Sequence, residues 1–302
     1  MQDINNSGDL ALFVEQQKTL SRSMQSRDIS TLPELNREQL IELGSVMSYD
    51  DSLATLKKQN TEFVWHVAMP KSGCTWVSKI LQKGLAQRGW KSIYLIPDAQ
   101  RREQQFSPIE LLRQKKLDTP IFAAQQHCTY SEYAVDFIKK FNIKLIIQVR
   151  DIYDCIVSNI DHLDNESIVI PFAYLSQNQW NGFSYEQKLM FVVDFIVPWY
   201  ISFWIGWTSG LQEHRIEYYL CQYENLNINP HDEFLNIAKY CDPNIKNEDV
   251  VQWLSSNTEP TRKNKAIVGR GRDLPKWVEK KIQQLISYYP DFDFTSIGII
   301  RK

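Results

Sequence analysis

Residues 63–81, F-V-W-H-V-A-M-P-K-S-G-C-T-W-V-S-K-I-L, constrain the fold more than any other stretch of the chain. An apolar run over Phe63–Ala68 ends at a Pro-Lys-Ser-Gly turn, and a helical pattern over 75–88 follows at once. A strand that turns directly into a helix is the first half of a βαβ unit, and the alternation continues downstream. Short apolar runs at 92–96, 121–124, Lys144–Val149 and 216–220 read as strands. Helical patterns at 131–141, with Ser131 as N-cap, at 151–159 and at 275–288 lie between or after them. Strands separated by helices predict an α/β fold of three layers, a central parallel sheet flanked by helices. In such sheets ligands bind at the carboxyl ends of the strands. Residues 1–58 precede the alternation and read as a helical extension, with Leu10, Phe13 and Val14 at i, i+3, i+4 spacing. Residues 59–302 form the main domain.

Charge narrows the partners. The formal net charge of −2 leaves no global basic field, so nucleic acid is not expected and any anion site must be local. The 5 cysteines (Cys74, Cys128, Cys155, Cys221, Cys241) are scattered without a C-x-x-C pair. That argues against a disulfide framework and structural zinc, predicts no metal site, and suits a reducing compartment. Residues 1–9 lack a basic stretch followed by an apolar run, so a cytoplasmic protein without a signal peptide is expected. The apolar stretch 191–211 carries Asp194 and Pro198, which argue for a buried core helix over a transmembrane segment. No motif fixes the oligomeric state.

Three segments carry chemistry. In the first, the backbone N–H groups of Ser72 to Trp76 fall at a helix N-terminus, where donors lack intrahelical partners and the helix dipole is positive. Gly73 permits close approach of a phosphate, Lys71 adds charge, and Ser72 and Thr75 add hydroxyls. An ordinary βα turn has the same outline. The segment is not G-x-x-x-x-G-K-[ST], which removes the magnesium-holding residue of a kinase or ATPase. In the second, K-L-I-I-Q-V-R-D-I-Y-D-C-I-V-S-N, Arg150 ends a strand and Ser158 lies two helical turns on. A guanidinium can hold a phosphate by two parallel charge-assisted bonds. A surface Arg-Asp pair at a helix start is the alternative. The third, T-R-K-N-K-A-I-V-G-R-G-R-D, is a glycine-punctuated loop with 5 basic residues, able to fold over an anion or to sit in solvent.

The P-K-S-G-C-T-W loop resembles the P-K-S-G-T-T-W loop of the sulfotransferases that use 3′-phosphoadenosine-5′-phosphosulfate (PAPS), with Cys74 in place of a threonine. The other two segments resemble that family's R-N-P-K-D-x-x-x-S and N-K-G-x-x-G-R-G patterns, in the same order. Asp151, Ile152 and Tyr153 depart from N-P-K, and Ala266 stands where a glycine is usual. The resemblance implies a P-loop-containing fold with Lys71, Ser72, Gly73, Cys74, Thr75 and Trp76 around the 5′-phosphosulfate and adenine. It implies Arg150 and Ser158 on the 3′-phosphate, and Lys265, Gly269 and Arg270 in the closing loop, with Arg262 a further candidate. Tyr223, in C-Q-Y-E-N-L, would lie by the adenine.

The implied reaction is in-line sulfuryl transfer from PAPS to a hydroxyl or amine of a small, apolar-bodied acceptor, with 3′-phosphoadenosine-5′-phosphate (PAP) as product. Such a transfer needs a base at the acceptor and a cation at the departing oxygen. His127 follows the strand at 121–124 and matches the family's K-T-H-x-P segment, so it is the expected base, with Lys71 as the cation and His162 in reserve. Gln125 stands where that family often has a lysine, and His66, inside a strand, reads as core. The alternative is an inactive PAP- or PAPS-binding or scaffold protein of the same fold, with Gln125 and Ala266 in its favour.

Overall fold

The computed structural model describes residues 62–93, 119–165, 169–170, 175–256 and 268–301. The helical expectation for residues 1–58, and Arg262, Lys265 and Ala266 of the basic loop, lie outside them. The five-stranded sheet is built from β1 (Phe63–Ala68), β2 (Lys91–Ile93), β3 (Ile121–Gln126), β4 (Lys144–Val149) and a late strand (Tyr218–Gln222). A hairpin pairs β5 (Val169–Ile170) with β6 (Leu175–Ser176), so the late strand is β7. The sheet order is β2-β3-β1-β4-β7, and every pairing is parallel.

The strands are apolar on both sides because both faces of the sheet are covered. The period-2 pleat sends Phe63, Trp65 and Val67 to one face and Val64 to the other. On the Val64 face lie α1 (Cys74–Ala86) and two later helices, Pro230–Cys241 and Asn247–Ser255, through Val77, Ile80, Leu81, Phe234, Ile237 and Trp253. On the Trp65 face lie α2 (Glu132–Phe141), α3 (Ile152–Asn165), α4 (Gln177–Gly182), α5 (Tyr185–Phe195) and α6 (Val197–Glu213). The short α7 (Tyr223–Ile228) follows β7, so the helices of the Val64 face are α8 and α9, and the last helix is α10 (Lys276–Ile286), on the Trp65 face.

Adjacent strands β1 and β4 are thus followed by helices on opposite faces, α1 and α3. Their carboxyl ends open a crevice at the switch in topology, where ligands of open α/β sheets bind. β3 adds an irregularity there. Trp65 pairs with Ala123 but Val67 with Gln126, so β3 carries one extra residue, a bulge that re-aims the side chains at its end.

Several boundaries shift from the sequence expectation. β3 runs on to Gln126, and α3 continues to Asn165. The apolar stretch 191–211 is broken between Phe195 and Val197 instead of forming one helix. Pro198 cannot donate to the carbonyl four residues back, and it sits instead in the first turn of α6, where that donor is not needed. Residues Tyr185–Glu213 are long and apolar enough to cross a membrane by length and composition. Here α6 buries Tyr200, Phe203, Trp204 and Trp207 in the core, and Trp207 Nε1 donates to the Cys128 carbonyl at 3.0 Å. All five cysteines are buried thiols outside any disulfide.

Candidate active site

The loop after β1 is held in an unusual backbone conformation. Lys71 has φ 67° and Gly73 has φ 81°, both left-handed. Gly73 is required twice over: a side chain there would meet the Tyr223 ring, whose carbons lie 2.7 Å from the position a Cβ would take. Lys71 is not a glycine, so its conformation must be imposed by surroundings. Successive carbonyls show how. The Ser72 hydroxyl donates to Met69 O at 2.7 Å, Tyr200 Oη to Pro70 O at 2.9 Å, an Arg150 guanidinium N–H to Lys71 O at 3.2 Å, and Gln148 Nε2 to Ser72 O at 2.6 Å. These donors, from α6, from β4 and the residue after it, and from the loop itself, hold the loop carbonyls. The Ser72 N–H returns to Met69 O at 3.3 Å and the Trp76 N–H to Gly73 O at 3.0 Å. Contrary to the sequence expectation of five free amides, those of Gly73, Cys74 and Thr75 are the ones left to meet an anion at the start of α1. That is an anion cradle at a helix N-terminus.

Arg150, at the end of β4, is 6% exposed and joins three parts of the site. It donates to Lys71 O, pairs with Asp154 Oδ2 at 3.2 Å, and lies over the Tyr223 ring at 4.2 Å. Asp154 in turn accepts the backbone N–H groups of Gly269 and Gly271 at 2.8 and 2.9 Å. Gly269 has φ 84°, and a Cβ on Gly271 would strike the Tyr153 backbone, so the closing segment docks on α3 only with glycines. Arg270 reaches Asp161 on α3 at 2.6 Å. Ser158 is buried one turn beyond Asp154 on the same helix. Burial pushes the Asp151 carboxyl up to about 6 and raises Glu224 as well, against the pull of Arg150 on Glu224. Asp151 Oδ1 caps α3 through the N–H groups of Tyr153 and Asp154, and Glu224 accepts the Asp151 N–H at 3.0 Å.

At the bulged end of β3, Gln125 and His127 both reach the first turn of α1. Gln125 Nε2 donates to Thr75 Oγ1 at 3.3 Å, and His127 Nε2 lies 4.0 Å from Cys74 Sγ. His127 Nδ1 is 2.7 Å from Ala68 O. A carbonyl can only accept, so Nδ1 carries the proton and, in the neutral ring, Nε2 keeps its lone pair. Burial raises the Cys74 thiol, and the nearby Lys71 charge partly offsets this. A buried thiol is a weak hydrogen-bond partner for Nε2. Trp76 packs edge-on against Phe234 at 5.2 Å, so its indole is held on the α8 side of the loop.

The sequence-predicted residues Lys71, Ser72, Gly73, Cys74, Thr75, Trp76, His127, Arg150, Ser158 and Tyr223 therefore gather around the carboxyl ends of β1, β3, β4 and β7. Gly269 and Arg270 dock from the closing segment. His162 stands in the last turn of α3. Sequence reading passed over Gln148, Tyr200 and Asn159. Asn159 Nδ2 donates to Tyr200 Oη at 2.6 Å, which supports the bond to Pro70. Gln148 left one signal, a polar residue inside the apolar strand K-L-I-I-Q-V.

A family model described as "Sulfotransferase domain" matches residues 62–270. Among solved structures, mouse sulfotransferase SULT7A1 complexed with PAP aligns with TM-score 0.56 at 14% identity, covering 83% of this chain and 92% of that one. Sulfotransferase STF9 from Mycobacterium avium aligns with TM-score 0.48 at 11% identity, covering 83% and 81%. No curated protein matches the sequence.

Proposed function

Because the chain belongs to the sulfotransferase domain family, we propose that it moves a sulfuryl group from PAPS to a hydroxyl or amine of a small acceptor and releases PAP. The donor's fit rests on the loop: its held carbonyls, the left-handed Lys71 and Gly73, and the amides at the start of α1 suit a terminal phosphate group. The mouse relative was crystallised with PAP, which supports the same nucleotide here. Arg150, with Ser158 on the helix that follows, meets a 3′-phosphate, and Tyr223 and Trp76 border the adenine.

When bound, the donor supplies an activated sulfuryl group on a phosphate oxygen. The chain's residues do the rest. Loop amides and Lys71 meet the negative charge that grows on that oxygen. His127 receives the acceptor's proton at Nε2, and Ala68 O holds the ring in the tautomer that can do so. This fixed tautomer, at a strand end beside the anion cradle, is the observation that carries the reading.

Turnover of sulfur-labelled PAPS with a panel of phenols, alcohols and amines tests the proposal, and transfer of label to any of them supports it. A second reading, a nucleotide binder without turnover, is favoured by Gln125, a neutral carboxamide bound to Thr75 beside the base. PAP binding with no transfer across the panel would select it.

A further inference from the structure

We infer that Gln148 is a positioning residue of the phosphate loop, oriented by a buried relay through His66 and Ser78 that ties the loop to the end of β3, just before His127. The inference rests on the loop being a phosphate site, as proposed above, and adds residues from outside the loop to it.

The relay has one self-consistent set of donors. Ser72 O can only accept, so the group of Gln148 facing it at 2.6 Å is the NH₂. The carboxamide oxygen of Gln148 therefore faces His66 Nε2 at 2.8 Å and accepts from it. With the proton on Nε2, His66 Nδ1 accepts from the Ser78 hydroxyl at 3.0 Å. The Ser78 oxygen in turn accepts the Gln125 backbone N–H at 3.1 Å. His66, Ser78 and Gln148 are all nearly inaccessible, so water does not substitute for a lost partner. Burial holds the His66 imidazolium form down, to a pKa of about 4, which keeps the ring in the single-proton state the relay needs.

The pattern is unusual for these positions. His66 and Gln148 interrupt the apolar interiors of two central parallel strands, and the β1–β4 register, Ala68 opposite Gln148, puts both side chains on the α1 face. A polar pair there costs burial, and an apolar pair would satisfy the fold as well. What the pair adds is a donor aimed at the one loop carbonyl next to Gly73. Without it, Ser72 O is released to rotate, and the Ser72–Gly73 peptide that precedes the helix loses its fixed orientation. A fixed dipole at a charged group is worth more than one that must reorganise.

Two ligands that share adenine and 3′-phosphate but differ at the 5′ position isolate the loop: PAP and adenosine 3′-phosphate, measured by calorimetry. Wild type binds PAP at least tenfold more tightly. Gln148→Leu, and Gln148→Glu at pH 8, reduce that ratio about tenfold, the size of one lost buried hydrogen bond to a charged ligand site, while affinity for adenosine 3′-phosphate stays within about twofold. Ser78→Ala, the mildest change, reduces the same ratio less, and near-ultraviolet circular dichroism confirms that each variant is folded. A ratio unchanged in the folded variants, or equal weakening of both ligands, overturns the inference and leaves Gln148 as core packing. A wild type that shows no preference for PAP instead sinks the phosphate-site reading on which the inference stands.

Discussion

Arg150→Ala separates recognition of the 3′-phosphate from everything else the site does. In the folded protein the guanidinium bonds Lys71 O and Asp154 and lies over Tyr223. Asp154 keeps two other donors, the N–H groups of Gly269 and Gly271, so its carboxylate is not left bare by the substitution. The main loss is then the cation that a 3′-phosphate would meet. A charge-assisted hydrogen bond is worth about 1.5–3 kcal/mol, and each 1.4 kcal/mol is tenfold, so the loss is roughly 10- to 150-fold in affinity. Calorimetry with PAP and with adenosine 5′-phosphate, which lacks only the 3′-phosphate, reads it. Wild type should favour PAP by that factor, and Arg150→Ala should bring the two ligands close together, chiefly by weakening PAP. Some loss of adenosine 5′-phosphate binding is also expected, because Lys71 O loses its donor. Wild-type protein that binds the two equally, or a variant that keeps the full preference, would refute the assignment of Arg150.

Three further outcomes follow from the same geometry. Lys71→Ala should lower kcat far more than it weakens PAP binding, because charge on the departing oxygen grows only in the transition state; steady-state kinetics beside calorimetry checks the split. Tyr200→Phe removes the donor to Pro70 O and should destabilise the fold by about 1–3 kcal/mol in urea unfolding, with a matching loss of PAP affinity. His66 has a folded pKa of about 4 against 6.5 when exposed, so the unfolded chain binds the extra proton between those values. Its contribution is fully present above pH 6.5 and falls away on acidification, by about 2 kcal/mol at pH 5 from 1.36 kcal/mol per unit; His66→Phe should flatten that part of the stability–pH curve.

The site was legible in the sequence where it is local. A strand, a Pro-Lys-Ser-Gly turn and a helix fix their own geometry within a few residues, and so does Arg150 followed by the capping Asp151. What holds those pieces in place is not local. Gln148 meets the loop across 76 residues of sequence and Tyr200 across 130. Nothing in a linear pattern distinguishes Tyr200 from the other aromatics of α6, because its role depends on which face of the helix meets the loop. His66 was correctly placed in the core, but burial alone did not reveal that it is the middle of a polar relay. The break at Ile196 was foreshadowed by Pro198, which the apolar pattern of 191–211 overshadowed. The bulge that turns Gln125 and His127 toward α1 appears only once β3 is paired with β1.

The central claim, sulfuryl transfer with His127 as the base, is met most directly by single-turnover transfer of label from PAPS in wild type and His127→Ala. An unactivated alcohol and an acidic phenol serve as the two acceptors. His127→Ala should slow transfer to the alcohol by about 10²–10⁴-fold, slow transfer to the phenol less, and leave PAP affinity near wild type. Full turnover of the alcohol by His127→Ala, or equal slowing of both acceptors, would contradict the account.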